Sequence, residues 1–170
     1  MSDLDKIVGT LEGQLHSIGA SNVADQLKRT LRRFEVRHRI SLATNADVGV
    51  GVNVNVTEKV FFRVPVQSKV VSAYFTADTA NYAGDNTNVR TVAVRKRAGS
   101  AFGDTAATVA SLTGTTDNAL TQWVPKALTL DTAQTTIAAN SILSAQVSAN
   151  AGSTTIAFPA GELVITLEEL

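Results

Sequence analysis

The chain has no cysteine, only 3 prolines, 2 histidines and one tryptophan among its 170 residues, and aromatic residues make up 5% of it. The absence of cysteine excludes disulfides and thiolate metal sites, so stability has to come from packing and from contacts between subunits. With 44% apolar residues and few rings, the core must be built from Val, Ala, Leu and Ile, which suits thin, closely approaching sheets. No stretch approaches the roughly 18 consecutive apolar residues of a membrane helix, and Met1-Ser2-Asp3 opens no secretory signal. The expectation is a soluble protein made in the cytoplasm, with one domain of ordinary size and an appended arm.

Net charge is also missing, at a formal value of zero. The charges are nevertheless segregated. Residues 1–27 carry Asp3, Asp5, Glu12 and Asp25 against Lys6, whereas Lys28, Arg29, Arg32, Arg33, Arg37 and Arg39 face only Glu35. Arg90, Arg95, Lys96 and Arg97 form a second basic cluster. The first group reads as a continuous basic belt. It has no interleaved aromatics for base stacking, so nucleic acid is not the expected partner, and protein carboxylates are the preferred counterpart.

What is present begins with helical spacing. Leu4, Val8, Leu11, Leu15 and Ile18 alternate steps of four and three, the pattern of a seam that meets a partner helix or a groove. A second helical run takes in Val23, Leu27 and Leu31 after a break at Gly19–Asn22, where Ser21 can cap it. Gly9 and Gly13 each cost about 1 kcal/mol in a helix interior, so the first helix needs something to lie against. Either it packs on its own domain or it grips a neighbouring subunit. The interface residues expected from this reading are Leu4, Val8, Leu11, Leu15, Ile18, Arg29, Arg32, Arg33, Arg37 and Arg39.

At Phe34 the period changes to two. Phe34, Val36, His38, Ile40 and Leu42 share one face and Glu35, Arg37, Arg39 and Ser41 the other. Strands are further expected at Val48–Val56, Val60–Val66, Lys69–Thr76, Val89–Arg97, Thr108–Leu112, Thr121–Leu130, Ser141–Ser148 and Glu162–Leu167. Pro65 and Pro125 cannot donate to a ladder, which places them at an edge or a bulge. Many short strands without interleaved helices describe a mainly β fold, an antiparallel, jelly-roll-like β-sandwich over residues 34–170, preceded by a helical arm over 1–33.

Catalytic chemistry has little to draw on. His16 and His38 are isolated, and no nucleophile elbow, phosphate loop, dinucleotide fingerprint or zinc motif occurs. The chain is therefore not expected to be an enzyme, and no cofactor or metal is expected. Oxygen ligands in Asp78–Asn86 can be read as a calcium loop or as ordinary turn residues, and the spacing is not that of an EF-hand. The Asn55-Val56-Thr57 sequon falls in an expected strand.

Val70–Asp78, Asn88–Arg97, Lys126–Thr132, Ile137–Leu143 and Pro159–Thr166 together resemble the head decoration, or cement, proteins of tailed bacteriophages. The resemblance runs from Lys69 to the end and rests on strand rhythm and composition. It implies a small sandwich domain on the outer surface of the virion capsid, a homotrimer bridging copies of the major capsid protein. The family has no catalytic residues to carry over. The first 33 residues depart from its short members, which leaves a tail, fibre or baseplate role open. A different reading is a receptor- or glycan-binding module using the loops around Tyr82, Phe102 and Trp123, of which Trp123 is the best aromatic platform.

Overall fold

The computed structural model describes residues 9–11, 14, 32–40, 55–83, 86, 89–98, 106–149 and 159–170. Ten strands are present among them: β1 (Arg33–Ile40), β2 (Asn55–Arg63), β3 (Ser68–Ala77), β4 (Arg90–Arg97), β5 (Ala107–Thr113), β6 (Lys126–Ala127), β7 (Thr129–Leu130), β8 (Thr136–Ile137), β9 (Ile142–Ala149) and β10 (Gly161–Glu169). They form two antiparallel sheets. The first runs β1-β10-β3-β6 with β8 also on β3, and the second runs β2-β9-β4-β5-β7.

The pairing is nested. β4 pairs with β5, β3 with β6 and β8, β2 with β9, and β1 with β10. Strands paired in this way alternate between the two sheets, which is the connectivity of a jelly roll, and the mainly β sandwich expected from the sequence is what forms. The long strands turn most of their apolar residues inward. On β10, Leu163, Ile165 and Leu167 are fully buried while Glu162, Val164, Thr166 and Glu168 line the outer face. Phe75, Val92, Val94, Val109 and Leu143 meet them from the other strands in one core.

β1 behaves as its alternation requires, with Ile40 buried, Phe34, Val36 and His38 half-buried, and Arg33, Glu35, Arg37 and Arg39 exposed. Along β2 the register against β9 shifts twice, between Val56 and Lys59 and between Val60 and Phe62. Bulges break strict alternation. Consecutive Phe61 and Phe62 consequently both pack against the core. Phe34 meets Phe62 with ring centroids 6.1 Å apart, and His38 stacks on Phe61 at 4.8 Å, so rings close the β1/β2 side of the sandwich.

Two expected strands differ. Val60–Val66 ends at Arg63 and turns at Pro65, with the Val64 N–H donating to Ser141 O at 2.9 Å. Thr121–Leu130 is split between sheets: Lys126–Ala127 pairs with β3, and Thr129–Leu130 pairs with β5. Leu128, buried between them, donates its N–H to Ala73 O at 2.8 Å. Alternation persists through such a crossing, so it cannot be seen in the local pattern. Pro125 immediately precedes β6 on the edge of the first sheet, where its missing N–H leaves no ladder bond unmade.

Of the arm, Gly9–Leu11 and Gln14 are helical and exposed. Leu4, Val8, Leu15, Ile18 and Arg29 lie outside the described residues, as do Leu42 and residues 48–54 of the expected strand Val48–Val56, whose last two residues instead begin β2 and run on without a break to Arg63. Arg33 belongs to β1, so the strand begins one residue before the expected boundary.

Candidate functional site

The antiparallel register of β1 on β10 sets Arg33 opposite Glu168, Arg37 opposite Val164 and Arg39 opposite Glu162. Arg33 contacts Glu168 at 2.7 Å, Arg37 bridges Glu162 and Glu35 at 3.1 Å each, and Arg39 pairs with Asp78 at 2.6 Å. Hydrogen bonding to Glu35 and the charge of Glu162 raise the Arg37 guanidinium further above its ordinary value. The three belt arginines of β1 are thus matched by carboxylates of β1, β10 and the turn after β3, so the described charges of this face largely cancel. Arg32 sits in the turn before β1 and is half-buried.

The second basic cluster is dispersed by the fold. Arg90 points inward and is buried, and desolvation pushes its guanidinium below the ordinary value against the opposing effect of Tyr82. Lys96 donates to Thr136 O at 2.7 Å beside a cavity of about 290 Å³ lined by Gln67, Thr136 and Ser141. Burial lowers its ammonium, with Asp131 opposing. Arg95 and Arg97 converge on Glu58.

Glu58 also accepts a 2.5 Å hydrogen bond from Ser144 Oγ. A hydroxyl on a carboxylate has the outline of an activated nucleophile. Ser144 is fully buried, however, and the carboxylate is held by two guanidiniums. Burial would push the Glu58 carboxyl up, but Arg97, Ser144 and Arg95 outweigh it and hold it below the ordinary range. The hydroxyl is closed off from solvent and the carboxylate is tied to both arginines, so the cluster acts as a cross-strand clamp.

Across the middle of the first sheet's outer face, the register places Arg37, Val164, Tyr74 and Ala127 in one row. Tyr74 is 41% exposed. The row is apolar at its centre and flanked by the β1/β10 ion pairs.

The three aromatic candidates separate. Tyr82 is buried, its hydroxyl donating to Gly114 O at 3.3 Å and its backbone bridged to Leu120, so it offers no platform. Phe102 lies outside the described residues. Trp123 is 67% exposed at the tip of the turn Thr121–Val124, at a φ of 64°. Among the described residues of the Asp78–Asn86 loop, three oxygens serve the fold: Asn81 Oδ1 accepts from Gln122 N at 2.6 Å, Asn86 Oδ1 accepts from Thr116 N at 3.2 Å, and Asp78 Oδ2 holds Arg39. Among the described residues no three His, Cys, Asp or Glu side chains group as a metal site, and no helix is long and apolar enough to cross a membrane. His38 is stacked on a ring at the edge of the core. No protein-family model, curated protein or solved structure matches the chain.

The geometry that remains is that of surfaces: a face around Tyr74 and Val164 whose described charges are paired, and an exposed tryptophan. Strand alternation placed Arg37 and Arg39 on the first, whereas Tyr74 and Val164 join them only through the pairing of β1, β10 and β3. The second was legible only as a candidate residue, because its exposure depends on a turn held by the distant segment 77–81.

Proposed function

We propose that this protein is a virion structural protein that binds the outer surface of a capsid and cements the shell, without catalysis of its own. Its partners are the major capsid protein and neighbouring copies of itself in a homotrimer. It is synthesised in the host cytoplasm and resides on the virion.

The observation that carries this reading is the outer face of β1, β10 and β3. Its arginines are already matched in plane, and its centre holds a half-exposed tyrosine beside Val164. Tyr and Arg are enriched where proteins dock, and a charge-neutral face can be covered without leaving an unpaired ion. The jelly-roll connectivity supports the reading by analogy, since that fold recurs in viral coat and lectin domains. A trimer would multiply modest contacts into firm attachment.

Light scattering of the purified chain and co-sedimentation with capsids lacking it test the proposal together. A trimer that saturates the shells and raises their heat resistance is expected, with binding lost in Tyr74→Glu. A monomer that leaves capsids in solution would overturn it.

A further inference from the structure

Trp123 is the sole tryptophan of the chain and the most exposed large hydrophobic side chain among the described residues. It occupies the third position of the turn Thr121–Val124, which the Val124 N–H closes on Thr121 O at 3.1 Å. A positive φ at that position is the usual place for glycine. A residue with a Cβ pays about 1–2 kcal/mol to adopt it. The strained backbone opposes folding and a solvated indole adds little to it, so the stability of the domain does not account for a tryptophan here, whereas a ligand that covers the ring does.

The turn is also held rigid. Trp123 N–H donates to Ala77 O at 2.8 Å, Gln122 N–H donates to Asn81 Oδ1 at 2.6 Å, and Gln122 Nε2 donates to Asp78 O at 2.9 Å. Asp78 in turn holds Arg39, whose side chain is 69% exposed and keeps guanidinium donors open to solvent. One residue therefore joins the platform to a charged donor. Asn81 and Thr79, both exposed, complete a polar surround.

We propose that Trp123, with Asn81, Gln122 and Arg39, forms a carbohydrate-binding subsite for a pyranose ring within an oligosaccharide. The apolar C–H face of a pyranose stacks on an indole, while its equatorial hydroxyls meet amide and guanidinium donors at the ring edge. The turn projects from the end of the sheet, which fits a glycan chain crossing a surface. Pre-organisation by three hydrogen bonds reduces the entropy lost on binding. The subsite adjoins the Tyr74 face and shares Arg39 with it, but sugar binding by the isolated chain can be read without any capsid.

Because the chain has one tryptophan, indole emission excited selectively at the red edge, where Tyr74 and Tyr82 do not absorb, reports this site alone. The full chain is titrated with hexasaccharides of glucose, mannose, galactose and N-acetylglucosamine. At least one is expected to shift and quench the emission saturably, with a Kd on the order of millimolar or tighter. Calorimetry with the same sugar should show binding weakened about tenfold or more in Trp123→Ala. Asn81→Ala, which frees the turn but keeps the ring, should bind measurably less tightly, with both variants folded by circular dichroism. Emission unchanged by every sugar, undiminished binding by Trp123→Ala, or an indole already shielded from acrylamide by a second copy would each overturn the proposal.

Discussion

Glu58 on β2 and Arg97 on β4 are joined by two parallel hydrogen bonds, Nε to Oε1 at 3.1 Å and Nη2 to Oε2 at 2.7 Å, across the intervening strand β9. Ser144 of β9 bonds the same carboxylate from below. The clamp therefore ties an edge strand weakened by two bulges to the middle of its sheet. Glu58→Ala should cost about 2–3 kcal/mol in urea unfolding, since it strands two guanidiniums and a buried hydroxyl. The native carboxyl lies below its ordinary value of 4.5, so its stabilisation is complete above that pH and is lost as pH falls through the lower, folded value. Glu58→Gln should flatten this acid limb of the stability curve.

His38 gives a second, milder pH dependence. Burial first, and then Lys59, hold the imidazole below 6.5. The unfolded chain binds the proton more readily, so the contribution of neutral His38 is complete above 6.5 and declines as pH falls through its folded value. The melting temperature should drop on going from about pH 7 to about pH 5, and less so in His38→Phe, which keeps the stack on Phe61.

Gly161 lies where β10 pairs with both Ile40 and Ala77. A Cβ there would collide with Thr76 O and come within 2.6 Å of the Phe75 ring. Gly161→Ala is expected to destabilise the fold by about 1–3 kcal/mol, measured by denaturant unfolding. Gly9, with open space around its position, serves as the contrast. Gly9→Ala should be neutral or stabilising by about 0.5–1 kcal/mol.

Trp123→Gly should leave the melting temperature unchanged or raise it, by relief of about 1 kcal/mol of left-handed strain. A clear drop would mean that the indole is a packing element.

Much of the sandwich was legible in the sequence. Phe34, Val36, His38 and Ile40 face inward and Arg37 and Arg39 outward as the alternation requires, and β3, β4, β9 and β10 fall within a residue or two of their expected spans. The arginines illustrate what was not legible. Their counterparts were expected to be carboxylates of a protein surface, and for Arg33, Arg37 and Arg39 those carboxylates lie in the chain's own sheet. Arg33 and its partner Glu168 stand 135 positions apart, a distance that no charge pattern bridges. Arg90 was grouped with its basic neighbours because it is charged, yet the pleat of β4 turns it inward beside Val92 and Val94.

The order of residues determined by itself where β1, β3, β4, β5, β9 and β10 lie and which of their faces is apolar, because the two-residue period is a local consequence of backbone pleating. Pairing decided the rest. The crossing of the chain between sheets at Leu128, the burial of Tyr82 and the presentation of Trp123 all arise from hydrogen bonds between distant segments, and such contacts exist only once the two sheets have closed on each other.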